Sequence, residues 1–418
     1  MKELLAFEKA LARVLDAVPS PKRETVALAR AQGRVLARDV RADRDLPPFD
    51  RAALDGFAVR VSGEFGGMRV LPVVGEVAAG ERPPRGLAPD TCVRVFTGAP
   101  LPAGAQGVIP IERAREAEGR AYLEGPLAID GPRRGGIADR GEDARKGGLL
   151  LSRGRRIGAS EAALLASVGA AEVAVFAQPE VAIVVTGHEL VPASAKPSRV
   201  QIRSANDATV AAIVAAVGVS GIRRLGIVED DPGPLRRALR RGLGHDILVV
   251  TGGVSVGRLD LVPDLLRDLG VRIVLHRVAI RPGKPFLFGI DRRGGRRTAV
   301  FGLPGNPVSV LATAVEFLAP FVRAWRGESR PSRPLRARLD APLRRPAGLF
   351  HFVPGELRVD GEGVLRAREI ASHGSGDFVS VAGAHAFLRV PGGDAALPEG
   401  GLVEADPIPG SVPDAEVP

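Results

Sequence analysis

The 418-residue chain contains one cysteine, Cys92, so it forms no internal disulfide and no thiolate metal cluster. Any soft-metal chemistry must use sulfur brought by a ligand. The six histidines are scattered and show no zinc spacing. Aromatic residues make up only 4%, and the arginines are spread along the chain instead of being interleaved with stacking residues, which argues against nucleic acid. Lysine is also scarce. The net charge of +10 rests almost entirely on arginine, and a small polyanionic substrate suits that balance. No apolar run approaches the ~18 residues of a membrane span. Near the N-terminus, Glu3 and Glu8 sit inside an amphipathic pattern of Leu4, Phe7, Leu11, Val14, Leu15 and Val18. This is a helix with one buried face and not a signal sequence, so no membrane contact and a cytoplasmic location are expected.

An apolar content of 45% supports sizeable cores, and the length suggests roughly three domains. Residues 1–45 read as a helix, a second helix near Glu24–Ala31 and a strand at Arg34–Val40. Gly and Pro punctuation then sets off short strands at Val70–Glu76, Cys92–Phe96 and Gly107–Ile111. A helix is expected at Ala159–Ser167. From residue 180, strands alternate with helices: strands at Val181–Thr186, Ile222–Val228, Ile247–Thr251, Ile273–Ala279 and Thr298–Phe301, helices at Ala208–Val217, Pro232–Leu243 and Leu261–Leu269. That alternation predicts a parallel α/β sheet. Residues 327–334 read as a linker, and a tail of short strands follows. The expected organisation is a mixed N-terminal domain (1–45 and 146–178), an inserted small β domain (46–145), a central parallel-sheet α/β domain (179–328) and a C-terminal β domain (333–410).

Three strands of the α/β region run into glycine turns. Val181–Thr186 leads to Gly187-His188-Glu189, Ile247–Thr251 to Gly252-Gly253-Val254-Ser255-Val256-Gly257, and Thr298–Phe301 to Gly302-Leu303-Pro304-Gly305-Asn306. In a parallel sheet these turns share one edge, where such folds bind ligands. Glycine lets a ligand approach the backbone and leaves N–H groups free for phosphate. Asn306 stands at an N-cap position and Pro307 at the first helical position of a long apolar helix, Val308 to Trp325. Arg281 and Lys284 flank a Pro-Gly turn that suits an oxyanion. Lys284 is the more telling, because lysine is rare here. Asp231 reads as a helix cap, and Asp260 as either a cap or a functional carboxylate. Glu189, Asp230 and Asp260, beside phosphate-binding turns, are the candidates for Mg²⁺, a hard cation that bridges to substrate phosphates.

Together these motifs resemble the molybdopterin molybdenumtransferase family (MoeA and the E domain of gephyrin). The matching pieces are Leu54-Asp55-Gly56-Phe57-Ala58-Val59, Thr97-Gly98-Ala99-Pro100, Arg140-Gly141-Glu142-Asp143, Thr186–Leu190, Asp230, Gly252–Gly257 with Asp260, Arg281–Pro285 and Gly302–Ser309, with a weaker match at His373-Gly-Ser375-Gly. They span nearly the whole chain. The resemblance implies four domains, a homodimer, and Mg²⁺-dependent insertion of molybdate into adenylylated molybdopterin with release of AMP. A pterin adenylyltransferase is an implied partner. Asp55, Asp143, Glu189, Asp230 and Asp260 would hold Mg²⁺, orient the ligand or assist hydrolysis. Gly252, Gly253, Ser255, Gly257, Pro304, Gly305, Asn306 and Ser309 would cradle pterin and phosphates. Arg281 and Lys284 would attract molybdate, with Ser375 close to them, and Thr97 and Asn206 would complete the substrate-binding set. Asp55 and Thr97 would act across the dimer interface.

The chain departs from the family pattern at several positions. Ala52 replaces a serine, Ala138 an arginine, Ser204-Ala205 an Asp-Ser pair before Asn206, and Leu261 an aromatic. In the tail, Leu349 and Pro354 replace two arginines. Lost cations weaken the hold on a dianion, and a non-catalytic paralogue that carries the pterin nucleotide is the alternative reading. A different nucleotide enzyme sharing only the α/β region is a third, disfavoured because the Leu54–Val59 motif and the tail would not accompany it.

Overall fold

The computed structural model describes residues 4–126, 134–255, 257, 260–328, 334–345, 348–411 and 414–415. The expected linker lies partly outside these residues, as does Val256 of the second glycine turn.

The N-terminal helix, Phe7–Leu15, forms as its apolar spacing requires and buries Phe7, Ala10 and Val14. The expected second helix does not form. Arg23–Ala27 is a strand, antiparallel to Glu172–Phe176, followed by a single 3₁₀ turn at Leu28–Arg30. Thr25 and Val26 are β-branched, and the pairing offers them a partner that an isolated two-turn helix lacks. The expected Arg34–Val40 strand shrinks to Val40–Arg41, paired with Leu149–Leu151. A six-stranded sheet, built from strands between Gly56 and Glu124, includes Gly56–Arg60, Met68–Val77, Thr91–Val95 and Gly107–Pro110. The Ala159–Ser167 helix lies where its pattern places it.

The central sheet has six strands in the order Ile222–Val228, Val181–Thr186, Ile247–Thr251, Thr298–Leu303, Leu287–Asp291, Arg272–His276. The first four are mutually parallel, as expected. The Leu287–Asp291 strand, not foreseen, runs antiparallel to both neighbours, so the sheet is mixed. The reason is the short link: ten residues between His276 and Leu287 cannot carry the helical crossover that a parallel pair needs.

Both sheet faces are covered. One face packs on helices Pro232–Gly242 and Val262–Asp268, the other on Asn206–Ala216 and the long helix Pro307–Trp325. That long helix is the one segment among the described residues with the length and hydropathy of a membrane span, contrary to expectation, and 83% of its apolar window is buried in the protein. It is a core helix. Its middle turn, Ala314–Leu318, is a π-helix. Phe317 stacks on Phe286 at 4.2 Å and meets the edge of Phe7 at 5.6 Å, while Phe7 meets Phe352 at 4.9 Å. The N-terminal helix, the α/β sheet and the C-terminal region therefore share one core. The C-terminal seven-stranded sheet adds its own core around Leu357, Leu388 and Val403. It also pairs Phe350-His351 with Ile280-Arg281 of the α/β region. This shared core and pairing set a wall of the C-terminal sheet against the carboxyl ends of the central strands.

Candidate active site

The parallel strands bring their carboxyl ends together, and the glycine turns converge there. A Cβ on Gly252, whose φ is +90°, would stand 2.2 Å from the Thr186 carbonyl oxygen, so only glycine fits. Gly252 N–H donates to the Leu303 carbonyl at 3.1 Å, and Gly305 packs beside Gly252. Asn206, buried at the start of its helix, donates from Nδ2 to the Gly305 carbonyl at 2.8 Å and holds that turn. Gly302 behaves differently from the expectation. It lies inside the Thr298–Leu303 strand, where a Cβ would press on Val254 and Leu287, so its role is packing.

These turns form one side of a cavity of about 1190 Å³. Gly253, Ser255, Asp260, Arg281, Lys284, Pro304, Gly305, Asn306 and Ser309 line it, and so does Ser375 from the C-terminal region. Gly252, Gly257 and Asn206 stand behind that wall as supports. Asn306 does not cap its helix with its side chain. Its Nδ2 donates to Ser375 Oγ at 2.8 Å, and Val308 N–H donates to the Ser375 carbonyl at 3.1 Å. The helix N-terminus is thereby tied to the tail loop instead of to itself.

The carboxylates are distributed along the strand ends. Asp231 caps its helix by accepting from Gly233 N–H at 2.9 Å. Asp230 instead accepts from the Thr186 hydroxyl and stands beside Gly253. Asp260 is not a cap. Its Oδ2 accepts from Gly257 N–H at 2.7 Å and closes the glycine turn. Glu189 turns its carboxylate back toward Gly187. Among the described residues no three His, Cys, Asp or Glu side chains stand close enough to hold a metal alone, so Glu189, Asp230 and Asp260 are not one closed ligand set. Their oxygen donors fit Mg²⁺ in the way this ion is commonly held, through one or two carboxylates completed by water and substrate phosphate.

Asp55, Thr97 and Asp143 do not line the cavity of their own chain. Asp55 accepts from both the backbone N–H and the hydroxyl of Thr97 at 2.7 Å, and these bonds hold its carboxyl below the usual carboxylate range. Asp143 sits on a turn, with its N–H donating to the Leu46 carbonyl at 2.9 Å.

Sequence reasoning picked out Leu349, Pro354 and Ser375 on the opposite wall but missed His351, Glu369 and Asp377, which also line it. Burial, with help from the Arg281 charge, pushes the His351 imidazole below its ordinary value, and burial raises the Glu369 carboxyl. His351 carries no local motif, because strand pairing with Arg281 is what brings it there. The i,i+4 spacing of His373 and Asp377 was a readable signal for that pair. Asp377 accepts from the Ser380 hydroxyl at 2.6 Å and from His373 N–H at 2.9 Å, bonds that hold its carboxyl far below the usual range.

Comparison with known proteins covers nearly the whole chain. Residues 5–169 match the family described as MoeA N-terminal region (domain I and II), 182–324 the probable molybdopterin binding domain, and 336–408 the MoeA C-terminal region (domain IV). The chain is 31% identical over 378 residues to a molybdopterin molybdenumtransferase of Synechocystis, covering 90% of this chain and 93% of that protein. It is 32% identical over 408 residues to the Bacillus subtilis protein of the same name, covering 96% and 93%. A crystal structure titled as a molybdopterin biosynthesis MoeA protein of Pyrococcus superposes with a TM-score of 0.78 at 31% identity, covering 98% of this chain and 100% of that one.

Proposed function

The chain belongs to the molybdopterin molybdenumtransferase family of molybdenum cofactor biosynthesis, and from that premise we propose that its cavity binds adenylylated molybdopterin and molybdate, inserts the metal into the dithiolene with Mg²⁺, and releases AMP. One observation carries this reading: a single cavity is lined by the second glycine turn, the Arg281–Lys284 corner, the Gly305-Asn306 helix entrance and Ser375. Turn N–H groups other than those of Gly252, Gly257 and Val308, which Leu303, Asp260 and Ser375 already take, suit the phosphates. Arg281 and Lys284 make no ion pair among the described residues, so their charge is available to a dianion. The dithiolene brings its own sulfur, which a chain with one buried cysteine cannot supply.

Asp260 on the cavity wall, with Asp230 or Glu189 from the neighbouring strand ends, would hold Mg²⁺ together with the substrate phosphates, and the bound ion would supply positive charge beside the phosphoanhydride. In a homodimer Asp55, Thr97 and Asp143 would complete the partner's cleft. The four-domain division at 45, 145, 178 and 333, a cytoplasmic location and supply of the substrate by a pterin adenylyltransferase belong to the same proposal.

Purified protein given adenylylated molybdopterin, Mg²⁺ and molybdate should release AMP, and Asp260→Asn should slow it by about 100-fold. No AMP at any molybdate concentration would refute the reading. One feature favours the carrier alternative: Leu349 and Pro354 line the cavity where the family pattern has arginines. Rescue of a strain lacking its own insertase separates the two, because a carrier would not restore growth.

A further inference from the structure

His373 stands on the cavity wall with its side chain 97% exposed, yet it is held in place. Asp377 Oδ2 accepts from its backbone N–H at 2.9 Å and lies 3.1 Å from its Nδ1. An ionised carboxylate can only accept, so Nδ1 carries a proton, and in the neutral imidazole the lone pair lies on Nε2. Asp377 is fixed in turn by the Ser380 hydroxyl and N–H, at 2.6 and 3.2 Å. The loop is also pinned through Ser375 to Asn306 and Val308. Nε2 has no partner among the described residues. A carboxylate-oriented imidazole with one nitrogen unpartnered, on a loop tied down at Ser375 and Asp377, is the arrangement of a proton carrier. The charged groups facing the same cavity are Arg281, Lys284, Asp260 and Glu369, with His351 beside Arg281.

We propose that His373, oriented by Asp377, carries protons from the dithiol sulfurs to the molybdate oxygen that departs as water. This rests on the reading of the cavity as the site of molybdate insertion. Molybdate and the neutral enedithiol give the trioxo dithiolene dianion and one water. Two Mo–S bonds form, one Mo–O bond breaks, molybdenum stays at +6, and both thiol protons leave in the water. Nε2 accepts each thiol proton in turn and passes it to the departing oxygen, two residues from Ser375, where the oxyanion is expected.

The test uses full-length protein with adenylylated molybdopterin, Mg²⁺ and a molybdate series, read by activation of an apo-molybdoenzyme. His373→Ala should lower kcat about 100-fold with KM for molybdate changed less than about threefold. His373→Gln, which keeps a hydrogen-bond donor but carries no proton, should be equally slow. Free imidazole should restore His373→Ala and leave His373→Gln unchanged. Wild-type kcat in His373→Ala, a loss confined to KM, rescue by glutamine, or no response to imidazole would each overturn the proton role while leaving the insertase reading standing. An inert wild type would remove both.

Discussion

Gly252 shows how a single residue fixes this site. Its φ is in the region open to glycine, and its α-carbon lies against the Thr186 carbonyl. Gly252→Ala must move backbone, not a flexible side chain, and should cost at least about 2 kcal/mol of unfolding free energy. Gly305→Ala is the control, since its added methyl would meet only the Gly252 α-carbon at 3.9 Å, with no positive φ to strain. Denaturant midpoints measured on both variants should separate them, and equal midpoints would refute the close-approach account. At this scale the sequence was readable where chemistry is local. The Asp231 cap and the unusual status of Asp230 follow from their neighbours. Asp260 and Asn306 did not, because their partners, Gly257 and Ser375, compete with the cap that local spacing suggests.

The long helix Pro307–Trp325 carries a buried acid at its π turn. Glu316 is 2% exposed, one of its carboxyl oxygens has no hydrogen-bond partner, and Arg389 is 3.9 Å from the other. Burial, and next the nearby Asp406 charge, push its carboxyl well above the ordinary value, with Arg389 opposing. A group whose folded pKa is raised contributes stability that is complete below the unfolded value, near pH 4.5, and is lost as pH rises toward the folded one. Wild-type stability should therefore fall relative to Glu316→Gln over that interval, with a slope of at most about 1.4 kcal/mol per pH unit for one proton. Unfolding curves at several pH values test the sign. A gap between the two proteins that does not change with pH would contradict it. The helix itself was legible from its apolar run, but the π turn was not, because an extra residue in one turn leaves no mark in an almost uniformly apolar stretch.

Over the whole molecule, the regions are fastened by buried contacts between distant segments. Arg326 is 1% exposed and donates to the carbonyls of Gly33 and Val217 while pairing with Glu328 at 3.1 Å. Burial lowers its guanidinium to about 10, so it stays charged at neutral pH. Arg326→Leu would strand both carbonyls and the acid, at a cost of about 3–5 kcal/mol. Amide exchange at Gly33–Val35 should accelerate along with the loss in thermal unfolding. A stability change below about 1 kcal/mol would show that the junction is not held there.

The sequence by itself determined the elements whose periodicity is strong and whose contacts are near. The Val181–Thr186 and Ile247–Thr251 strands end where their apolar runs end, and glycine turns follow them. Its motifs also determined the family. Only the tertiary structure decided which groups share a cavity. His351, Glu369 and the His373–Asp377 pair reach it because the tail sheet pairs with Ile280-Arg281 and shares a core with the long helix. The physical reason is that periodicity records which face of an element is apolar, while the identity of what covers that face depends on free energy summed over segments far apart in the chain.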